Sequence, residues 1–563
     1  MSSGGLINKL ENVEDIYPLT PAQQGMLVHT IGEPRSGLYV QQIITRLSGE
    51  IAVDRLKLAW DRVLERHSAL RSVFIWEGLD EPLQVVREEV DVEWEFFDWR
   101  AHSLETRTTR EAALLSRDRQ QGFDLTLAPL MRMYAIQVAD DEWLWIWSVH
   151  HLLCDGWSVA ILRHEMELLY GGEIDQAPVT LPPVIPFRDH LQRLSDRNLK
   201  LEDDFWSDQV DGFEEPTRLA VSRFREFDTQ TERSKKDEAK QCQQELLLSP
   251  ELTDRLMEFA RQNGLTLSTV VQAAWALLIN RCSGSNKIIY GVTVSGRSEA
   301  LEESSAAVGA YINTLPVCLE IDGTESLSDW LRSLQRKLGR IQEFQQSSLS
   351  RIQRQSGIQG ELFESLFVFE NYPIMTKLNS SSAFQQRGTH FIEKSNYPLV
   401  MFAVPGKELL LILNHHETRY PATVAKCMLL SMNYLLSTFV QSPSRHLSDL
   451  SLYSGQDVAS GQPCSTDLVL QSGLPFKSVV EWLVEQVSAK PTYAAVTLGK
   501  TTLSYEELNA MADRIAVRLS RIGVRRKGRV AIACHGCVET IASIFAVLKL
   551  GAAYIPIDPG AAE

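Results

Sequence analysis

The sequence predicts a large α/β protein that is built from several units. Strand-like runs alternate with helical patterns along the chain, as at residues 143–149 and 159–169. The chain has 563 residues, which is too long for one ordinary domain, since domains average about 150 residues. Residues 451–475 are rich in Ser, Gly, Gln and Asp, which is typical of a linker between two units.

Composition indicates a globular protein and disfavours two classes of partner. Hydrophobic residues make up 44% and charged residues 23%, which are ordinary values. The net charge of −16 argues against nucleic acids and anionic membranes as partners. Eight dispersed cysteines suit a reducing compartment. Because no apolar signal run or stretch of about 18 apolar residues is present, we expect a cytoplasmic protein without a membrane span.

Periodicity predicts the elements in chain order. Thr20 followed by Pro21 is typical of a helix start, with the threonine as N-cap. Apolar spacing then predicts strands at 40–47, 143–149, 287–294 and 409–413, and helices over 51–67, 102–120, 265–278 and 327–341. Near the end of the chain, residues 529–534 are expected to form a buried parallel strand that leads into a helix.

The most informative stretch is the strand-like run that ends in His150 and His151. Asp155 and Gly156 then break the run, and a helical pattern follows. A rigid strand behind and an open loop in front are typical of catalytic groups. Because the unperturbed pKa of histidine is about 6.5, His151 is suited either to take a proton from an attacking amine or to orient that amine.

Asp155 and Gly156 have different expected roles in this turn. A buried carboxylate needs a cationic partner or several donors, so we expect Asp155 to hold the loop rather than to contact substrate. Gly156 allows a sharp turn and a close approach of its amide to a ligand. An isolated His-His pair is more often a structural cap on a core strand. The longer pattern His-His-x-x-x-Asp-Gly is more specific.

This pattern resembles the signature of the condensation domains of nonribosomal peptide synthetases, within the chloramphenicol-acetyltransferase-like superfamily. Further segments resemble the other condensation motifs and follow one another in the family order over residues of about 15–440. They are residues 17–27, 66–74, 186–189, 308–316, 366–373 and 395–399. The resemblance implies two chloramphenicol-acetyltransferase-like α/β subdomains that form a V-shaped pseudo-dimer.

The resemblance also assigns roles to the site residues. It makes His151 the active-site histidine, with Gly156 beside it, and turns His150 mostly towards the interior. It pairs Asp155 with Arg297, which follows a glycine turn at the end of a predicted strand. The candidates beside the substrate tunnel are Trp157, Ser158, Asn313 and Thr314. We interpret His67 and the second pair, His415-His416, as structural.

The resemblance predicts the following domain boundaries: a lead-in at 1–14, an N-terminal subdomain at 15–215, a C-terminal subdomain at 216–450, a linker at 451–475 and a truncated adenylation-domain fragment at 476–563. The fragment is inferred from Leu503–Leu508 and Leu548–Asp558, which resemble the first two adenylation motifs. Because the glycine-rich phosphate loop of adenylating enzymes does not occur there, we expect the fragment to be inactive alone.

The implied reaction is amide formation. The amine of a carrier-bound aminoacyl group attacks an acyl or peptidyl thioester on an upstream carrier. Both substrates are carried on 4'-phosphopantetheine, and no directly bound cofactor is expected. Cys534 and Cys537 have CxxC spacing but lack a second ligand pair, so no metal is expected. The implied partners are upstream and downstream peptidyl carrier proteins, an upstream synthase subunit and an adenylation domain in cis.

Three alternatives remain open at this point. A starter condensation domain would take its donor from an acyl-coenzyme A. An epimerisation domain shares the histidine motif, but the adenylation motifs downstream argue against it. A non-catalytic platform would only recruit carriers, and the intact His-His-x-x-x-Asp-Gly pattern argues against that alternative.

Overall fold

A computed structural model describes residues 12–175, 178–219, 241–297, 307–370, 385–452, 479–498, 501–525, 528–533 and 537–557. Most of the predicted lead-in and linker, residues 371–373 of one motif, Asp558 of another and Cys534 lie outside these ranges. The chain divides into two compact units, Met1–Ser465 and Thr466–Glu563. The first unit contains two α/β subdomains.

The first subdomain provides most of the elements around the histidine motif. Its strands are β1 (Val13–Pro18), β2 (Val40–Ser48), β3 (Ser72–Ile75), β4 (Leu83–Arg87), β5 (Glu93–Asp98), β6 (Met131–Ala139) and β7 (Glu142–His150). Its helices are α1 (Pro21–Gly32), α2 (Val53–Arg66), α3 (Leu104–Gln121), α4 (Gly156–Asp175), α5 (Phe187–Ser195) and α6 (Leu199–Val210).

The second subdomain repeats the mixture of strands and helices. The sequence range predicted for it contains the strands β8 (Gln241–Leu247), β9 (Lys287–Val294), β10 (Asn313–Glu320), β11 (Ser365–Phe369), β12 (Gln385–Ile392), β13 (Leu399–Val404) and β14 (Leu410–His416). Its helices are α7 (Pro250–Gln262), α8 (Leu267–Ser283), α9 (Leu327–Glu343), α10 (Leu349–Ser356) and α11 (Ala422–Gln441). The strands and helices predicted from periodicity in this unit are all present, with ends that differ by a few residues.

Each subdomain is organised around one mixed sheet. The sheet of the first has the order β12-β2-β7-β6-β5, and that of the second has the order β10-β9-β11-β13-β14-β8. A further three-stranded sheet, β1-β4-β3, accompanies the first. Strand β7 is therefore central, because β2 and β6 flank it on both sides.

Strand β12 departs from the predicted division of the chain. It belongs by sequence to the range expected for the C-terminal subdomain, yet it pairs antiparallel with β2 at the edge of the first sheet. The ladder runs from Gln385 opposite Ser48 to Ile392 opposite Gln42. The two subdomains are therefore not two consecutive stretches of the sequence, because residues 385–392 belong to the sheet of the first subdomain.

Packing of large side chains explains the rigidity behind β7. Trp60 of α2 is fully buried, and its ring centroid lies 4.7 Å from that of Trp147 and 5.9 Å from that of Trp145. Buried aromatic pairs of this kind add roughly 0.5–1.5 kcal/mol beyond their burial. Because residues alternate across a strand, Trp145, Trp147 and Val149 share one face of β7, which packs into this core.

Helix α11 is the interior helix of the second core. Within the described residues, its length and apolar composition would suffice for a membrane span, but 61% of the relevant window is buried in the protein. Leu429, Met432 and Leu436 on this helix pack among the residues of the second core. We therefore assign α11 to the protein interior.

The second unit is a small α/β fragment. Its described strands are β15 (Ala494–Leu498), β16 (Thr501–Ser504), β17 (Arg529–Ala533) and β18 (Ala553–Ile557), and its helices are α12 (Val479–Ala489), α13 (Tyr505–Arg521) and α14 (Val538–Lys549). Strands β17 and β18 are parallel, as predicted. The prediction that β17 is buried is wrong: it is mostly exposed, because β18 is its one partner strand among the described residues.

Candidate active site

The histidine motif lies where β7 meets α4. His150 is the last residue of β7, residues 151–155 form a turn, and Gly156 begins α4. The amide of His151 donates to the carbonyl of Tyr39 (2.9 Å), and the amide of Asp155 donates to the carbonyl of Gly309 (3.2 Å). The turn is therefore fixed by backbone hydrogen bonds to two other segments.

Asp155 anchors the start of α4. Its Oδ1 accepts hydrogen bonds from the amide (2.8 Å) and the hydroxyl (2.7 Å) of Ser158. A carboxylate that accepts the amide three residues later satisfies one of the free donors at a helix start. The hydroxyl of Ser158 also accepts from the amide of Gly309 (3.1 Å), so the polar network continues beyond the helix.

Arg297 and Asp155 form a fully buried ion pair. Nη2 of Arg297 donates to Oδ1 (3.0 Å) and Oδ2 (3.2 Å) of Asp155, and neither side chain has accessible surface. Nη1 donates to the carbonyl of Ala307 (2.8 Å), and the guanidinium lies 4.1 Å from the ring centroid of Tyr311. The amide of Tyr311 also donates to Asp155 Oδ2 (3.2 Å). The structure thus pairs these residues, as expected, and ties α4 to the loop after β9.

His150 points into the protein and uses both ring nitrogens. The amide of Leu152 donates to Nδ1 (3.2 Å), so the ring hydrogen is on Nε2, which lies 3.4 Å from the hydroxyl of Thr30. Burial, and then the charge of His151, lower the pKa of His150 to about 3. His150 is therefore a neutral ring held in the interior, and the geometry gives it no free nitrogen for a substrate.

His151 has the opposite arrangement. Nδ1 lies 3.2 Å from the carbonyl oxygen of Cys154, which can only accept, so Nδ1 carries the hydrogen. When the ring is neutral, the lone pair is thereby on Nε2, which lies 3.2 Å from Oε1 of Glu393. The two atoms are at ion-pair distance, but the carboxylate is not aligned for a hydrogen bond. Burial, the largest influence, would lower the pKa of His151, but the charge and side-chain contact of Glu393, the carbonyl of Cys154 and the charge of Asp155 together outweigh it and raise that pKa.

The other candidates fall into two groups. Trp157 is half-buried on the first turn of α4, with its ring 5.6 Å from the guanidinium of Arg297, so it belongs to the same network as Ser158. Asn313 begins β10, and its amide donates to the carbonyls of Gln345 (2.9 Å) and Ser347 (2.7 Å). Asn313 therefore holds the loop after α9, and Thr314 follows it, half-buried, on the same strand.

Sequence reasoning missed Glu393, Tyr39 and Glu370. Tyr39 has φ = 59°, which is unusual for a residue other than glycine, and its hydroxyl donates to Oδ1 of Asn396 (3.0 Å). Burial, and then the charge of Glu393, raise the pKa of Glu370 to about 7. One signal was available: Glu393 stands two residues before the motif at 395–399.

Comparison with known proteins decides the family. The family model of the condensation domain matches residues 13–459, which is most of the chain. The chain belongs to the condensation-domain family of nonribosomal peptide synthetases. A second family model, that of the AMP-binding enzymes, matches residues 483–563. This condensation domain is therefore followed by the beginning of an adenylation domain, as the motifs predicted.

Curated relatives are parts of peptide synthetases. The chain is 35% identical over 564 residues to one of the linear gramicidin synthase polypeptides of Brevibacillus parabrevis, and the alignment covers 98% of this chain and 11% of that protein. It is 30% identical to surfactin synthase subunit 3 of Bacillus subtilis (strain 168), covering 98% of this chain and 42% of that protein. The chain thus spans a minor part of the length of these relatives.

Solved structures support the fold. A four-domain nonribosomal peptide synthetase bound to AMP and glycine matches with a TM-score of 0.65 at 18% identity, covering 99% of this chain and 43% of the other. A starter condensation domain of rhizomide synthetase in complex with C8-CoA matches with a TM-score of 0.66 at 17% identity, covering 80% of this chain and 99% of the other. At these identities, the likeness shows the shared architecture alone.

Proposed function

We propose that this condensation domain joins two carrier-bound substrates through an amide bond, with His151 at the reacting atoms. The observation that supports the proposal is the fixed tautomer of His151. Because Nδ1–H is held by the carbonyl of Cys154, the lone pair on Nε2 is available to a substrate amine. A ring fixed in this way meets the geometric demand on a general base or an orienting group.

The proposed reaction is nucleophilic attack on a thioester. The α-amine of an aminoacyl thioester attacks the carbonyl carbon of the donor thioester, the carbon–nitrogen bond forms, and the carbon–sulfur bond breaks. One amine proton is transferred to the leaving sulfur, and His151 Nε2 holds or passes that proton. Placing two tethered reactants together supplies up to about 7–11 kcal/mol, and proton transfer contributes roughly 10²–10⁴-fold in rate.

The buried residues of the motif have positioning roles in this proposal. Asp155 and Arg297 hold the turn that carries His151, and Ser158 shares their network. Gly156 begins α4 directly after the turn, with Trp157 beside it. His150 supports β7 from the interior, since its nitrogens are occupied. Asn313 and Thr314 are proposed as residues near the tunnel, acting through the loop that Asn313 holds.

The proposed partners follow from the substrates. An upstream peptidyl carrier presents the donor and a downstream carrier the acceptor, each on 4'-phosphopantetheine, with an adenylation domain in cis and the donor carrier on an upstream synthase subunit. We also propose that residues 476–563 alone form no adenylate, since that stretch contains no glycine-rich phosphate loop. A cytoplasmic location is proposed because the eight cysteines are dispersed along the chain, which suits a reducing compartment.

The decisive experiment compares the parental chain with His151→Ala in a condensation assay. A panel of acyl thioesters on carriers, acyl-coenzyme A donors and aminoacyl acceptors is followed by intact mass. We expect loss of product in His151→Ala with an unchanged melting temperature. Parental rates in the variant would refute the assignment of His151. His164→Ala is a matched control, because it also removes an imidazole, but from α4 rather than from the motif turn.

The same assay separates the alternatives. Product from acyl-coenzyme A but not from carrier-bound donors would favour a starter domain. Loss of chirality at the α-carbon of a single aminoacyl carrier would favour epimerisation. Carrier binding without turnover of any donor would favour a recruiting platform.

A further inference from the structure

Glu393 is a carboxylate at the candidate base that the proposed reaction has not used. Its position is set by backbone structure. It follows β12, whose last residue, Ile392, pairs with β2. The carbonyl of the next residue, Lys394, accepts from the amide of Tyr39 (3.1 Å), and the carbonyl of Tyr39 accepts from the amide of His151 (2.9 Å). Three segments therefore lie side by side, and this arrangement brings Glu393 to His151.

Glu393 has fewer hydrogen-bond partners and more accessible surface than Asp155, the structural carboxylate of the site. Asp155 accepts from Ser158, Arg297 and Tyr311 and has no accessible surface. Glu393 keeps 29% of its side-chain surface accessible, and its side-chain partner within the described residues is His151, which is not aligned for a hydrogen bond. An ionised carboxylate has about four acceptor positions. Glu393 thus keeps capacity for a ligand with several N–H donors.

The acceptor substrate of the proposed reaction has such a group. An α-amine has an ordinary pKa of about 7.7–8.0, so near neutral pH it arrives largely as an ammonium ion. An ammonium has three donors and a full positive charge, and its hydrogen bonds to a carboxylate are of the strong, charge-assisted kind. Oε1 of Glu393 and Nε2 of His151 lie 3.2 Å apart, so one ammonium nitrogen can reach both.

We propose that Glu393 is the anchor for the ammonium group of the acceptor, and that the arriving cation takes over this carboxylate from His151. The proposal rests on the proposed function. Before the acceptor arrives, Glu393 favours the protonated ring. When the ammonium neutralises Glu393, His151 loses its proton to solvent and becomes the base. The ammonium then leaves one proton on Nε2, the amine attacks, and the second proton goes to the leaving sulfur.

The electrostatics of the site agree with this exchange. Burial raises the pKa of Glu393, but the charge of His151 and its side-chain contact with the carboxylate together outweigh burial, so the pKa of Glu393 lies below its ordinary value while that of His151 is raised. The other titratable groups that act on this pair come from every neighbouring segment: His150, Asp155, Glu370 and Tyr39. None of them is a cation in competition with the ammonium, because the pKa of His150 is lowered to about 3.

The test compares Glu393→Gln with Glu393→Asp in the condensation assay. We expect Glu393→Gln to raise the KM of the acceptor by about tenfold or more, the loss expected for one charge-assisted hydrogen bond, without changing the KM of the donor. In this variant, the acidic limb of the pH dependence of kcat/KM shifts to lower pH, because the Glu393 carboxylate that favours protonated His151 has been removed. Glu393→Asp restores part of the acceptor affinity. Equal increases in both KM values, or parental values with an unshifted limb, would overturn the proposal.

A second measurement needs no turnover. In isotope-labelled protein, the pKa of His151 is followed by NMR with and without a non-reactive aminoacyl amide. We expect the amide to lower that pKa in the parental chain and not in Glu393→Gln; an unchanged parental pKa at saturation contradicts the proposal. If His151→Ala condenses at the parental rate, the proposed function fails. If that variant is inactive but Glu393→Gln behaves as the parent in both measurements, only the inference fails.

Discussion

The chain contains two His-His pairs, and their surroundings have opposite electrostatic character. His150-His151 lies at the end of β7, and His415-His416 ends β14. In each pair, one Nδ1 is tied to a nearby backbone carbonyl: that of Cys154 for His151, and that of Tyr420 (2.6 Å) for His415. The same dipeptide at the same kind of strand end is therefore held in a similar way.

The difference is in the neighbouring charges. The carboxylate of Glu393 raises the pKa of His151. Burial, and then the cations Lys394 and Arg419, lower the pKa of His416 to about 4. Glu393 and Lys394, the two residues after β12, thus shift the pKa of His151 and the pKa of His416 in opposite directions. The comparison teaches that the charged groups delivered by other segments, rather than the dipeptide, distinguish a proton-handling histidine from a neutral one.

The largest expected effect is at the buried ion pair that holds the turn of the first histidine pair. Asp155→Ala leaves Arg297 buried without its partner and should cost roughly 3–5 kcal/mol in the free energy of unfolding, together with condensation activity. Denaturant titration monitored by tryptophan fluorescence measures it. Arg332→Ala is the control: its pair with Asp329 is exposed on α9, and surface pairs contribute about 0–1 kcal/mol. Equal losses in the two variants would contradict the structural role of Asp155.

The acidity around the first pair can be tested at Glu370. Its pKa in the folded chain is raised to about 7, so its contribution to stability is full below its ordinary pKa and is lost as pH rises through about 7. In the parent, deprotonation of Glu370 therefore lowers the free energy of unfolding between about pH 5 and about pH 8. In Glu370→Gln, that decrease should be smaller by up to about 3 kcal/mol. Glu320→Gln, at the exposed end of β10, is the matched control. Identical pH profiles of Glu370→Gln and the parent would argue against a protonated Glu370.

The smallest expected effect is at the second pair. His416→Gln should retain the parental rate of condensation, because no carboxylate raises the pKa of this ring among the groups that the described residues bring to it. NMR titration of labelled histidine should place its midpoint near about 4 and that of His151 above the ordinary value. A marked loss of activity in His416→Gln would show that the comparison is wrong.

The sequence predicted features that depend on local patterns and on family motifs. The tryptophan-rich strand, the turn after it and the pairing of Asp155 with Arg297 are where these patterns indicated. Glu393 was not predicted, because its contact with His151 joins residues that are far apart in the chain and depends on the crossing of β12. Periodicity also misjudged the burial of β17, since an apolar run does not reveal how many partner strands cover it.

The crossing of β12 has a consequence for how this domain folds. Without residues 385–392, β2 would present an unpaired edge of nine residues, and unpaired edges are templates for aggregation. We therefore expect that the first half does not fold correctly without residues 385–392, because its sheet would lack an edge strand. Synthetase engineers who exchange halves of such domains should keep that strand with the sheet it completes.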